Sequence, residues 1–128
     1  SIKNALDKAV TIDAEERVVH LRRLMLDDKI SRFVVTTNDK ISGIVTETDV
    51  AVSMRKFRET VKDQHQDHRI RNLLVKDIMS APLISLDIGV DYHELVDLMV
   101  AKNISTVPVT DKGKLAGLVT RRSLVHAL

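Results

Sequence analysis

Residues 43–49 read Gly-Ile-Val-Thr-Glu-Thr-Asp, and residues 117–123, which lie 74 positions later, read Gly-Leu-Val-Thr-Arg-Arg-Ser. The same shift carries residues 10–54 onto residues 84–128 without a gap, and twelve of the 45 aligned pairs are identical. Many of the other pairs exchange one aliphatic residue for another. The sequence therefore predicts two copies of one supersecondary unit that share a core.

Length and composition narrow the class of protein. A chain of 128 residues fits one compact domain or two closely packed halves. The chain has no cysteine, which excludes disulfides and thiolate metal sites and makes the cytoplasm the expected compartment. No apolar run approaches the length of a membrane span and no secretory pattern is present, so we expect a soluble domain. The chain begins without methionine and stops within a predicted apolar helix, so we expect it to be part of a longer protein.

The balance of charge argues against a nucleic-acid surface. The net charge is +2, from 20 basic and 18 acidic residues, and only 2% of the residues are aromatic. Enzyme motifs are also missing, because no nucleophile elbow, no phosphate-binding P-loop and no His-Glu-x-x-His helix occurs. We therefore expect no catalytic residues.

Each repeat is predicted to form a strand, a helix, two strands and a helix. In the first repeat, Asp13 and Glu16 resemble a helix cap and its reciprocal acid, followed by apolar residues at a spacing of three and four. The polar residues 37–40 suit an antiparallel hairpin turn. The first repeat is predicted to have strands at 10–12, 33–36 and 41–45, a first helix that opens at Asp13 and has its apolar positions within 18–25, and a second helix from about residue 48. The second repeat is predicted to have its elements at 83–86, 90–99, 107–109, 115–119 and 122–128. The predicted organisation is a first repeat at 1–58, a charged linker or helix extension at 59–74, and a second repeat at 75–128.

The charged linker contains two histidines and two aspartates that invite comparison with a metal site. These residues are His65, His68, Asp63 and Asp67. A zinc site normally needs further ligands at set spacing, so a solvated surface is the favoured interpretation and no metal is predicted.

The chemistry is expected where the last strand of each repeat leads into its last helix. A helix N-terminus presents free N–H groups and a partial positive charge, which suit a phosphate. The hydroxyl and cationic side chains at the two junctions belong to Thr46, Thr48, Thr120, Arg121, Arg122 and Ser123. The carboxylate of Asp49 would repel a phosphate but accepts hydrogen bonds well from ribose hydroxyls. The same Thr-x-x-Asp spacing is also a helix-capping pattern, and spacing alone does not separate the two interpretations.

The second repeat carries a more specific pattern. Residues 75–80 read Val-Lys-Asp-Ile-Met-Ser and lead into Pro-Leu-Ile-Ser-Leu-Asp at 82–87; residues 104–109 read Ile-Ser-Thr-Val-Pro-Val, and the motif at 117–120 follows. This pattern resembles a CBS (cystathionine beta-synthase) domain, and the doubled pattern resembles a Bateman module. Residues 2–6 resemble a degenerate first copy of the lead-in. The resemblance implies an α+β fold of two β-α-β-β-α units paired with pseudo-twofold symmetry through their small sheets.

The resemblance also implies a regulatory function and a set of ligand-binding residues. Such modules commonly bind adenosine derivatives in clefts between the repeats. The family signature Gly-h-h-Thr/Ser-x-x-Asp, where h is hydrophobic, is complete only at residues 43–49, so Asp49 would hold the ribose and Thr46 the phosphate. Ser123 replaces the aspartate in the second repeat, and Val34 replaces the proline that the second repeat keeps as Pro108. The aliphatic walls around the adenine would be Val10, Ile12, Phe33, Val34, Ile44, Leu83, Ile84, Val107, Pro108 and Leu118.

The expected ligand is AMP, followed by ADP, ATP or S-adenosylmethionine, with Mg²⁺ accompanying ADP or ATP and no cofactor required. We expect one occupied cleft centred on Asp49, with Arg121 and Arg122 making the second cleft attractive to a more anionic ligand. The resemblance further implies a homodimer and a fused or separate effector domain. The hydropathy and the charge balance predict neither a membrane nor a nucleic acid as partner. Candidate dimer contacts, which core packing would explain equally well, are Val50, Met54, Phe57, Leu124, Val125 and Leu128. The alternative function is a ligand-free dimerisation or interaction scaffold.

Overall fold

The chain forms two compact units that do not coincide with the two sequence repeats. The computed structural model describes residues 2–60, 62–81 and 84–127, without the side chains of Asp63 and Asp67. The first unit is Val10–Leu83, and the second unit combines Ser1–Ala9 with Ile84–Leu128. Three residues named in the sequence analysis, Pro82, Leu83 and Leu128, lie outside the described residues.

The first unit contains a three-stranded sheet and its helices. Strand β1 pairs in parallel with β2, which pairs antiparallel with β3. The region predicted as a charged linker or helix extension contains the end of α2 and a separate helix, α3. The elements are β1 (Thr11–Asp13), α1 (Val18–Asp27), β2 (Arg32–Thr37), β3 (Lys40–Thr46), α2 (Glu47–Thr60), α3 (Asp63–Asn72) and the short α4 (Val75–Ile78).

The second unit repeats this architecture in the same order. After a 3-10 helix at Ile2–Ala5, its elements are β4 (Leu86–Asp87), α5 (Tyr92–Ala101), β5 (Thr106–Asp111), β6 (Lys114–Thr120) and α6 (Arg121–His126). The strand registers correspond under the shift of 74, since Val35 pairs with Gly43 and Val109 pairs with Gly117. The predicted α+β fold with two β-α-β-β-α repeats is therefore confirmed.

Each unit has its own hydrophobic core on one face of its sheet. In the first unit, Phe33, Val35 and Val45 are fully buried and pack with Leu21 of α1. In the second unit, the corresponding core contains Val107, Val109, Val119 and Leu95 of α5. These positions alternate along the strands, as side chains on one face of a sheet must. The two cores therefore occupy equivalent positions in the two repeats.

The hairpin turns have the conformation that their polar residues favour. Asn38 and Asp39 both have positive φ angles, of 51° and 64°, and so do Lys112 and Gly113, at 51° and 79°. Two successive residues with positive φ are typical of a type I′ turn, whose twist matches that of the flanking strands. The predicted antiparallel hairpins are confirmed in both repeats.

The predicted start of the first helix is wrong. The Asp13 carboxylate accepts a hydrogen bond from the N–H of Glu15, and Glu16 accepts one from its neighbour, so the two acids form no capping pair. Helix α1 begins only at Val18, whose N–H donates to the carbonyl of Leu73 over 2.8 Å. A carbonyl from a remote segment thus replaces the local side-chain cap.

The first strand of the second repeat is shorter and later than predicted. The prediction was 83–86, whereas β4 contains only Leu86 and Asp87. In the first repeat, the N–H of Val34 donates to the carbonyl of Val10 over 2.8 Å. The equivalent residue is Pro108, which has no N–H and therefore leaves this rung of the ladder unmade.

The start of each repeat bonds to the outer strand of the other repeat's sheet. Ser80, near the start of the second repeat, forms a β-bridge with Ile44 of β3. Asp7, near the start of the first repeat, forms one with Leu118 of β6. Gly43 and Gly117 stand next to these bridges and admit the close approach of the lead-in backbone. Each lead-in segment therefore completes the other repeat's sheet, which explains why the units and the repeats differ.

Candidate functional site

The junction between β3 and α2 is a reciprocal helix cap made by Thr46 and Asp49. Both the N–H and the hydroxyl of Thr46 donate to Oδ2 of Asp49, over 2.8 and 3.1 Å. The N–H of Asp49 donates in return to Oγ1 of Thr46 over 3.3 Å. The capping interpretation of this Thr-x-x-Asp motif is therefore realised, and it fixes the carboxylate at the start of a 14-residue helix.

The cap uses only part of the hydrogen-bonding capacity of the junction. Both bonds from Thr46 fall on Oδ2 of Asp49, and Oδ1 accepts none from the described residues. The N–H of Glu47 donates to the carbonyl of Ser31, whereas the N–H of exposed Thr48 finds no acceptor in the described part of the chain. A half-buried carboxylate oxygen and a helix N-terminal N–H therefore remain available beside one another in sequence.

The junction between β6 and α6 has the same strand-to-helix arrangement, but its capping side chains bond to the backbone of Thr120 and Ser123. Thr120 and Ser123 exchange N–H to side-chain hydrogen bonds of 2.8 and 3.0 Å. The Ser123 hydroxyl also donates to the carbonyl of Thr120 over 3.1 Å. Ser123 is only 7% exposed, so its hydroxyl is both buried and used as donor and acceptor. The cap made by Thr120 and Ser123 therefore offers a ligand neither a carboxylate nor a free hydroxyl.

The two arginines after Thr120 are exposed. The guanidinium of Arg121 donates through Nη2 to Oδ1 of Asn103 over 2.8 Å, at the end of α5. Arg121 also lines a groove of about 430 Å³ between α5 and α6, together with mainly apolar side chains such as Val100 and Leu124. Arg122 is exposed at the start of α6. Both arginines are thus surface cations, and Arg121 is held by Asn103.

The residues expected to form aliphatic walls divide between two faces of each sheet. Ile12, Phe33 and Val107 belong to the hydrophobic cores of their units. On the other sheet faces lie two equivalent cross-strand pairs, Val34 with Ile44 and Pro108 with Leu118. Val10 is half-buried and Ile84 is exposed, while Leu83 lies outside the described residues.

The apolar residues considered for a dimer contact also divide. Val50 belongs to the core of the first unit, and Met54 and Leu124 pack against the cores of their own units. Phe57 is half-buried, and Val125 is 67% exposed in the groove between α5 and α6. The core therefore explains three of these residues, and Val125 is the strongly exposed one among the five that the structure describes.

Two other features bear on the functional class. The described residues contain no group of three or more acidic, histidine or cysteine side chains that could hold a metal ion, and the side chains of Asp63 and Asp67 lie outside that description. No helix in the described ranges has both the length and the apolar character needed to cross a bilayer.

Sequence reasoning missed the contribution of the second lead-in segment to the first junction. Ser80 bonds to Ile44, which lies two residues before Thr46. A Cβ atom added at Gly43 would lie 2.7 Å from the Ser80 carbonyl oxygen and 2.8 Å from Sδ of Met79. The signal available in the sequence was the glycine at the same place in both repeats, combined with the duplicated lead-in.

Comparison with known proteins places this geometry in a family. The CBS domain family matches residues 2–56 and 75–128. An uncharacterised protein of Methanocaldococcus jannaschii is 26% identical over 151 residues, which cover 99% of this chain and 90% of that protein. An uncharacterised protein of Methanopyrus kandleri is 30% identical over 119 residues, but the alignment covers 91% of this chain and only 56% of that protein.

The match to a named enzyme is confined to a small part of that enzyme. The inosine-5′-monophosphate dehydrogenase of Korarchaeum cryptofilum is 32% identical over 118 residues, which cover 91% of this chain and 22% of the enzyme. Tandem CBS-domain proteins are generally regulatory rather than catalytic and are commonly nucleotide-sensing.

Solved structures have the same fold. The CBS domain of a CBS-domain-containing membrane protein from Sphaerobacter thermophilus superposes with a TM-score of 0.74 at 23% identity, over 97% of this chain and 84% of that one. An uncharacterised conserved protein from Pyrococcus horikoshii gives a TM-score of 0.75 at 22% identity, over 98% and 89% of the two chains. With the family match over both repeats, the conclusion is that this chain belongs to the CBS domain family, as a tandem pair of CBS domains.

Proposed function

We propose that the chain is a regulatory module that senses an adenosine-type ligand at the junction between β3 and α2. The observation that carries the proposal is the Asp49 carboxylate, which caps α2 with Oδ2 and keeps Oδ1 available. A carboxylate oxygen accepts hydrogen bonds strongly from paired sugar hydroxyls. Asp49 would therefore bind the ribose while it continues to cap the helix.

The N-terminus of α2 supplies a hydrogen-bond donor and a partial positive charge for a phosphate. The N–H of Thr48 and the partial positive charge at the start of the 14-residue helix α2 favour an anion. Thr46 donates its hydroxyl proton to Asp49, so it would contribute to a phosphate site only by turning that O–H from the carboxylate to the ligand. Val34 and Ile44 form the neighbouring aliphatic pair on the sheet. Val34 is fully buried and Ile44 is 7% exposed, so the base would reach this pair only after the residues that cover it move.

The charges at this junction favour a ligand with little negative charge. Glu47 and Asp49 stand in the first turn of α2, where the second repeat has Arg121 and Ser123. Each added phosphate would meet these carboxylates at short range. We therefore propose AMP before ADP or ATP, with Mg²⁺ needed to offset the charge of the polyphosphates. S-adenosylmethionine ranks after AMP because it has no phosphate to bind the start of α2. No cofactor is proposed beyond this regulatory ligand.

The proposal agrees with the behaviour of the family. CBS pairs bind adenosine ligands and often form dimers. One relative is an enzyme named for a nucleotide substrate, although this chain matches only 22% of it. We propose by analogy that the module regulates a fused or separate effector and works as a homodimer, with exposed Val125 as one contact.

Isothermal titration calorimetry tests where the ligand binds and how many ligands bind per chain. AMP, ADP, ATP and S-adenosylmethionine are titrated into the wild type, Asp49→Ser and Ser123→Ala. Asp49→Ser copies the second junction, so it keeps a cap but removes the carboxylate. We expect one ligand per chain, an affinity loss of about tenfold or more in Asp49→Ser from one lost charge-assisted hydrogen bond, and no loss in Ser123→Ala. Unchanged affinity in Asp49→Ser, or two equivalent sites, would overturn the assignment.

A ligand-free scaffold is the second candidate function, and one observation favours it. Both junctions complete their helix caps with their own side chains and need no ligand to satisfy them. If no ligand releases heat or changes stability while sedimentation shows a stable dimer, the scaffold replaces the sensor as the function.

A further inference from the structure

The second lead-in segment, residues 75–80, lies along the first unit and is called the strap below. The N–H of Ser80 donates to the carbonyl of Ile44 over 2.8 Å, and the N–H of Ile44 donates back to the carbonyl of Ser80 over 3.1 Å. These two bonds add one residue of β-structure to the edge of β3. The strap thus holds β3 two residues before Thr46.

The other end of the strap is fixed beside the start of α1. Val75 is fully buried in the core of the first unit, and its N–H donates to the carbonyl of Glu16 over 2.8 Å. The N–H of Lys76 donates to the carbonyl of Ala14, and its ammonium pairs with Glu15 over 2.8 Å. The hydrogen bond and negative charge of Glu15 raise the pKa of Lys76 above its ordinary value. The strap is therefore anchored near residue 75 and attached separately at Ser80.

The attachment at Ser80 depends on the absence of a side chain at Gly43. A Cβ at this position would lie 2.7 Å from a backbone oxygen of the strap, which is too close for any real contact. Backbone cannot rotate away as a long side chain can, so the strap backbone would have to shift, which weakens its attachment to β3. Release would uncover the edge of β3 and free the main chain that leads into Thr46 and Asp49.

From this geometry we propose that attachment of the strap at Ser80 and ligand binding at the β3–α2 junction are coupled. The inference rests on the proposed function. The docked strap holds Ile44 in place, and Ile44 precedes the ligand-binding turn by two residues. A ligand that requires this arrangement binds the docked state better, and by reciprocity it strengthens the docking. Met79 and Ser80 are positioning residues in this proposal.

The chain offers a matched control in its second unit. Asp7 and Leu118 exchange N–H to carbonyl hydrogen bonds of 2.7 and 2.9 Å, and a Cβ at Gly117 would lie 2.7 Å from the Asp7 carbonyl oxygen. The same substitution can therefore release either lead-in segment. Only the first unit has Asp49 at its junction, so only its strap should influence the ligand.

The test combines amide hydrogen exchange, resolved by NMR, with AMP titration of the wild type, Gly43→Ala and Gly117→Ala. Gly43→Ala should speed exchange at Ile44 and Ser80 and weaken AMP binding by about fivefold or more, the lower range of allosteric coupling. Gly117→Ala should speed exchange at Leu118 and leave AMP affinity unchanged. In the wild type, AMP should slow exchange at Ser80.

A second variant keeps the test valid if Gly43→Ala fails to fold. Ser80→Pro removes the donor to Ile44 without adding atoms to β3, and it should weaken AMP binding in the same direction. If either variant releases the strap while AMP affinity stays at the wild-type value, the coupling is refuted and the proposed function stands. If the wild type binds none of the adenosine ligands, the proposed function fails and the coupling fails with it.

Discussion

One position distinguishes the two repeats at the residue scale. Asp49 and Ser123 occupy the same place in the repeat, and each closes a helix cap with the threonine three residues before it. The carboxylate keeps an oxygen that bonds to no described residue, whereas the hydroxyl of Ser123 is buried and fully used. A single difference between the copies therefore leaves a free carboxylate oxygen at the first junction and no free side-chain oxygen at residue 123 of the second.

Exchanging these two residues should have unequal effects on stability. Ser123→Asp places a carboxylate in a buried site and sets it against the carbonyl of Thr120, which loses its donor, so we expect a loss of about 1–3 kcal/mol. Asp49→Ser keeps a capping side chain at a half-buried site, and it should lower the free energy of unfolding by no more than about 1 kcal/mol. Urea unfolding measures both values. Equal losses would show that the two junctions do not differ in burial and bonding as described.

The two hairpin turns make a similar comparison at the element scale. Asp39 and Gly113 hold equivalent turn positions with φ of 64° and 79°, and a Cβ at Gly113 would meet nothing within 4 Å. Only the backbone conformation therefore penalises a side chain there. Asp39→Gly should stabilise the protein and Gly113→Asp should destabilise it, each by about 1 kcal/mol. Thermal unfolding gives the signs, and a destabilised Asp39→Gly would contradict the type I′ assignment.

Most elements could be predicted from the sequence, and the errors have identifiable physical causes. The spacing of apolar residues predicted α1, and β-prone runs joined by polar turns predicted β2, β3, β5 and β6. The start of α1 could not be predicted, because the acceptor for its first N–H is the carbonyl of Leu73. Predicting the shortness of β4 required the comparison of Pro108 with Val34. The N–H of Val34 donates a hydrogen bond to the first strand of its repeat, and Pro108 has no N–H to do the same.

The exchange of lead-in segments dominates the organisation of the whole molecule. Ile2 and Ala5 are buried in the core of the second unit, and Val75 is buried in the core of the first. The duplicated sequence predicted that residues 2–6 resemble residues 75–79, but it did not indicate which repeat each copy completes. The signature around Asp49 could be read directly, whereas the strap at Gly43 required the fold.

Lead-in residues should stabilise the unit that they enter. Ile2→Ala removes a fully buried side chain and should destabilise the second unit by about 2–5 kcal/mol. Hydrogen exchange should then rise in β5 and β6 before it rises in β2 and β3, and Val75→Ala should give the opposite order. A rise confined to the first unit in Ile2→Ala would contradict the division into these two units.

The sensor itself is tested most directly by thermal unfolding of the wild type and Asp49→Ser with and without AMP. A ligand at 100 times its dissociation constant stabilises the folded state by about 2.7 kcal/mol, which should raise the wild-type midpoint by several degrees. We predict this shift in the wild type and its loss in Asp49→Ser at the same AMP concentration. An equal shift in both proteins would place the ligand elsewhere, and no shift with AMP or the other adenosine ligands would contradict the sensor.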